Sequence, residues 1–204
     1  MSYSHFEMPP ALYAAYAEAS TKQFYPGATV RCSGTPMFRS QLARDLGCLL
    51  DVDRNVVAWL CLPRQVDADI GPHIFDFLVD YDDGTSVYLD AVDEEGSPDI
   101  TEAAAIAGLQ HRFEFRDRIE DGFRLLNARD LLRYARWRTP LNDRIRMLAA
   151  LDDAGSLQIS ECLGIFREVA PMTAIAWMAL HRLIELDLDE CMIGPETLVR
   201  RYRR

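Results

Sequence analysis

Apolar side chains at Leu42, Leu46, Leu49 and Leu50 follow the i, i+4, i+7, i+8 spacing of one helical face, and Ser40 just before them is a natural N-cap. The pattern predicts a helix from residue 40 to 50, buried along that face. Three segments then change character. Residues 55–62, 73–81 and 85–92 are rich in Val, Ile, Phe, Tyr and Leu and predict strands. Asp82-Asp83-Gly84 supplies a hairpin turn between the last two, because Gly84 can take a positive φ without steric cost. An Ala-rich helical segment, 100–109, precedes a fourth strand at 111–115, and a further helix follows at 127–137 through Leu131, Leu132 and Tyr134.

The order helix, three strands, helix, strand, helix implies an α/β fold, a mixed β-sheet flanked by helices with the 100–109 segment as crossover. Upstream, residues 1–39 read as an irregular arm carrying one short helix, 10–19, and a stretch loosened by Gly27, Gly34 and Pro36. Downstream, Thr139-Pro140 breaks the pattern. Helical runs at 141–151, 158–166 and 171–186 then lead to Asp187-Leu188-Asp189 and a turn at Gly194, with Pro140 and Pro171 suited to first helical turns. That spacing predicts a small all-α winged-helix-like C-terminal domain. The expected domains are therefore an arm (1–39), an α/β domain (40–139) and a winged-helix-like domain (140–204).

Composition narrows the function. The 204 residues are 49% hydrophobic and 26% charged, which excludes disorder, collagen and a disulfide-dense mini-protein. The formal charge of −10 repels phosphate backbones, so any DNA contact must be local. Charge is also segregated: no Lys or Arg lies between Arg64 and Arg112, whereas the acidic residues from Asp67 to Glu102 crowd that interval. Two basic patches, Arg133, Arg136 and Arg138, and Arg200, Arg201, Arg203 and Arg204, are the candidate DNA contacts. Lys22 is the single lysine. Five cysteines without a Cys-x-x-Cys pair argue against a disulfide framework or a thiolate zinc site. The absence of a leader pattern and of an apolar run long enough to span a bilayer leads to the expectation of a cytoplasmic protein with reduced thiols and no membrane contact. His73 and His111 read as strand-end residues, His181 as a helical one, Glu94 and Glu95 as a solvated loop, and Phe166, Met172, Trp177 and Met178 as core of the C-terminal domain.

The chemistry concentrates in Phe75-Asp76-Phe77, the turn, and Tyr88-Leu89-Asp90-Ala91-Val92. Across a hairpin, Asp76 and Asp90 can face each other with Cβ atoms about 4.5–5.5 Å apart, close enough to share a divalent cation. Such a pair, holding Mg²⁺ and its activated water, is what metal-dependent phosphodiester cleavage requires.

These motifs resemble the PD-(D/E)xK nucleases, and most of all the TnsA-type endonuclease subunits of heteromeric transposases. The resemblance runs through Ser40-Gln41-Leu42-Ala43-Arg44, a strand leading to Gln65, Phe75-Asp76-Phe77, Asp90-Ala91-Val92, and a later Leu126, Asn127, Leu131 element. It implies a restriction-endonuclease-like sheet, Asp76 and Asp90 as metal carboxylates, Gln65 as a further catalytic candidate, a transposase or AAA+ ATPase partner, and DNA. Two positions depart from the pattern. Ala43 stands where the family's helix Glu is found, and Val92 where its Lys is found. Val92 cannot orient water or offset transition-state charge, and an Arg substitute such as Arg112 or Arg116 cannot act as a base. The expectation is a catalytically impaired nuclease-fold subunit with weak Mg²⁺ or Mn²⁺ binding. The competing readings are an active Mg²⁺- or Mn²⁺-dependent endonuclease with an unorthodox residue set, and an acidic module that regulates another protein.

Overall fold

A computed structural model describes residues 8–203, and they form two compact units. One comprises the described residues up to Phe24 with Arg31–Ile119; the other comprises Tyr25–Val30 with the described residues from Glu120 onward.

The first unit opens with α1 (Pro10–Ser20), whose Tyr16 hydroxyl donates to the Leu62 carbonyl at 3.0 Å. Ser40 then caps α2 (Gln41–Val52) by accepting the Ala43 amide at 3.0 Å, and the helix buries Leu42, Leu46 and Leu50 as their spacing predicts. Six strands follow: β1 (Val56–Cys61), β2 (Gln65–Ala68), β3 (Gly71–Ile74), β4 (Phe77–Tyr81), β5 (Ser86–Val92) and, after α3 (Pro98–Ile106), β6 (His111–Phe115), which runs into the short α4 (Arg116–Ile119).

The main sheet has the order β1-β4-β5-β6. β1, β4 and β5 pair antiparallel, and β5 and β6 pair parallel through the α3 crossover. This is the mixed sheet flanked by helices that the pattern implied. Gly84, at φ +85°, makes the β4–β5 turn.

One expected strand is divided. Residues 73–81 break at Phe75-Asp76, so that β3 pairs with β2 in a separate hairpin while β4 pairs with β1 and β5. The cause is local: the Asp76 amide donates to the Asp90 carboxylate, at 2.9 Å, and leaves the ladder.

Alternation along the strands sorts the side chains onto two faces. Phe77 pairs with Leu89 on one, where the rings of Phe38, Trp59 and Phe77 cluster with centroids 5.5 to 6.2 Å apart. Tyr88 and Asp90 share the other with their β6 partners His111 and Phe113. That second face is covered by α3 and the β2–β3 hairpin, through Val66, Phe75, Ile100 and Ala104.

The second unit contains α5 (Arg124–Leu132), α6 (Leu141–Ala154), β7 (Ser156–Gln158), α7 (Ile159–Cys162), α8 (Pro171–Leu180), β8 (Ile184–Leu186) and β9 (Leu198–Arg201). It corrects the expectation of an all-α domain, because the three strands form an antiparallel sheet of order β7-β9-β8. The helix expected to reach residue 186 stops at Leu180. Arg182 takes a left-handed backbone, φ 55°, and turns the chain into β8.

The division between units also lies earlier than residue 139. α5 packs on α8 within the second unit. Its buried Asn127 donates to the carbonyls of Leu188, at 2.9 Å, and Cys191, at 2.8 Å, and accepts the Ile193 amide at 2.9 Å. Thr139 is itself buried, its hydroxyl on the Ala174 carbonyl. The 1–39 arm is not one piece either, since residues 25–30 group with the second unit. Among the described residues no helix is long and apolar enough to cross a membrane.

Candidate functional site

Asp76 and Asp90 meet at the end of the β4–β5 ladder, one step beyond the Phe77–Leu89 pair. Each carboxylate braces the other's strand: Asp90 Oδ1 accepts the Asp76 amide at 2.9 Å, and Asp76 Oδ2 accepts the Ala91 amide at 3.1 Å. Both acids are buried, with 7% and 2% of their surfaces exposed. The two side chains therefore lie together just past the last paired residues, joined by hydrogen bonds from backbone amides to carboxylates rather than by the ladder itself.

The groups around them were not anticipated. Arg39, the residue before the α2 cap, sends Nε and Nη2 to Asp76 Oδ1 at 3.0 and 2.7 Å, and Nη2 lies 3.8 Å from Asp90 Oδ1. His73 at the end of β3 and His111 at the start of β6 both aim Nε2 at Asp90 Oδ2, at 2.7 and 3.1 Å. The Thr101 hydroxyl lies 3.2 Å from His111 Nδ1. Phe75 packs against the rings of His73, His111 and Tyr88 at 5.4, 5.2 and 4.8 Å and holds the cluster from one side. Strand-end placement was legible for both histidines. Their meeting at one oxygen depends on the separate hairpin and on the parallel β5–β6 register, neither of which leaves a mark in local periodicity.

The two acids have opposite electrostatic characters. At Asp90 burial opposes ionisation, but hydrogen bonds from His111 and His73, the His73 charge and the Asp76 amide outweigh it and hold the carboxyl at about 2. Asp76 is raised, because burial and the neighbouring Asp90 charge exceed the relief from Arg39 and the Ala91 amide. An ionised Asp90 only accepts, so the two imidazole Nε2 atoms are its donors and both carry protons.

The other expected participants lie elsewhere. The Gln65 amide donates to Asp67 Oδ1 at 2.8 Å. Arg112 pairs with Glu114 and the Tyr81 hydroxyl, and Arg116 with Asp93. Lys22 does approach, yet its ammonium bonds Glu18 and the Arg39 carbonyl, at 2.6 and 3.0 Å, rather than either acid. Glu94 and Glu95 are exposed.

As placed, these residues do not fit Mg²⁺. A guanidinium nitrogen already stands within ion-pair reach of both carboxylates, in the place where a divalent cation would have to bind them. Among the described residues no group of three or more His, Cys, Asp or Glu side chains is arranged as a metal site as placed.

In the second unit Arg133, Arg136, Arg138, Arg200, Arg201 and Arg203 are all exposed. Arg133 lies 3.6 Å from Asp130, and Arg201 pairs with Asp152. Arg204 lies outside the described residues. α8 carries no charged residue, and most of it is buried, with Trp177 stacked on His181 at 4.1 Å. No protein-family model matches the chain, and no curated protein matches it.

Proposed function

We propose that this chain is a TnsA-like, catalytically impaired nuclease-fold subunit of a DNA transposition or DNA-processing complex, which binds a transposase or AAA+ ATPase partner and DNA. The observation that carries the reading is the meeting of Asp76 and Asp90 where β4 and β5 leave their ladder, inside an α2-β1-β4-β5-α3-β6 order. A helix, three antiparallel strands and a crossover helix to a fourth, parallel strand are the order a restriction-endonuclease-like core calls for.

Impairment is supported by Val92, Ala43 and the Arg39 ion pair: among the described residues both carboxylates of the pair are engaged, and the Lys22 ammonium is held by Glu18 and the Arg39 carbonyl rather than by either acid. The element order α6-β7-α7-α8-β8-β9 supports a winged-helix-like module. The uncharged α8 cannot read a DNA groove through cationic side chains, so DNA contact in this reading falls to the exposed arginines.

Fluorescence anisotropy with a labelled duplex tests it. Binding that weakens steeply between low and moderate salt, and that is reduced by Arg133→Ala, Arg136→Ala and Arg138→Ala together, is the expected result. Failure to bind any duplex at low salt would sink the DNA reading. It would favour the acidic regulatory module, for which the uninterrupted acidic interval from Asp67 to Glu102 is the specific support. Plasmid nicking with Mn²⁺ that disappears in Asp76→Ala would instead revive the active endonuclease.

A further inference from the structure

Two carboxylates that share a buried pocket repel each other, and something positive must stand beside them for both to ionise. In metal-dependent sites that charge is a divalent ion. Here one nitrogen of Arg39 lies 2.7 Å from Asp76 Oδ1 and 3.8 Å from Asp90 Oδ1. The side chain is 30% exposed and faces Asp90 through Oδ1, while the imidazoles of His73 and His111 approach Asp90 through its other oxygen.

We infer that Arg39 is a tethered counter-cation that closes the Asp76/Asp90 pocket to divalent metal, and that the pocket accepts Mn²⁺ once the guanidinium is removed. The geometry points this way because each carboxylate is already positioned by a backbone amide of the facing strand, which is independent of Arg39. Taking the guanidinium away leaves two fixed, close-set acids with unbalanced charge. The inference holds whether or not the chain works on DNA, and its test reads metal binding alone.

The experiment titrates Mn²⁺ alone into the full chain, followed by the loss of the free-ion electron paramagnetic resonance signal and by the shift in unfolding temperature, at pH 7.5. The wild type is expected to bind no more tightly than an Asp76→Asn variant. Arg39→Ala is expected to gain about tenfold or more in affinity, a gain that the Arg39→Ala/Asp76→Asn double variant loses. Arg39→Met keeps the aliphatic stem and serves where the alanine variant unfolds, with circular dichroism reporting the fold of each. Two outcomes overturn the inference: wild-type binding as tight as that of Arg39→Ala, or a folded Arg39→Ala and a folded Arg39→Met that both bind no better than wild type.

Discussion

Asp90 and Asp76 are the same residue type a few ångströms apart, yet their surroundings assign them different work. Asp90 accepts the Asp76 amide and two imidazole N–H groups, so each of its oxygens is used. Asp90→Asn turns one of those oxygens into a donor facing donors and is expected to cost about 2–4 kcal/mol in urea unfolding. Asp76→Asn keeps an acceptor for the Ala91 amide, and the Arg39 guanidinium that would face the new amide group is partly exposed and can turn to solvent, so a smaller cost of about 1 kcal/mol is expected. Equal losses from the two would refute the division. The pH dependence follows from the signs. Asp90 is depressed to about 2, so its contribution of about 2 kcal/mol is present above its unfolded pKa near 4 and is lost as pH falls toward 2. Asp76 is raised, so its contribution has the opposite sign: it favours the fold in acid and is lost as pH rises through its folded value. Unfolding measured from pH 5 to pH 2 is expected to show a smaller acid loss in Asp90→Asn than in wild type, with the remaining loss carried by other depressed carboxylates such as Asp143 and Asp187.

Between elements, single side chains decide which segments belong together. Gly96 meets β6 so closely that a Cβ there would lie 2.3 Å from the Phe113 ring, which in turn packs edge-on against His111 at 4.6 Å. The loop after β5 is thus coupled to the histidine that holds Asp90. Asn127 does comparable work for α5 by tying Leu188, Cys191 and Ile193 to the helix. Asn127→Ala strands three backbone groups at once and is expected to cost about 2–4 kcal/mol, with faster amide exchange at residues 188–193. Unchanged exchange there would show that the loop is held by something else. In the sequence Asn127 stood out only as part of the Leu126, Asn127, Leu131 element of the resemblance. Its structural role became visible when the segment after β8 folded back over α5.

At the scale of the whole chain, the last passage from the first unit to the second lies at exposed residues 120–123, whereas Thr139 of the Thr139-Pro140 break is buried within the second unit. Limited proteolysis is therefore expected to separate the chain first within 120–123, read by mass spectrometry; a first cut at 138–140 would contradict that division. The helices of 40–50 and 100–109, the strands 55–62, 85–92 and 111–115 and the Asp82-Asp83-Gly84 turn were legible because each is written in local periodicity and turn chemistry. The same local information placed Asp76 and Asp90 on one hairpin, and so near each other. It also misread the C-terminal strands, which are three or four residues long and too short to declare a period. What surrounds the acid pair was settled by tertiary structure alone. Arg39, His73 and His111 arrive from a helix cap, a side hairpin and a parallel crossover strand, and side chains brought together by pairing across the chain leave no trace in the spacing along it.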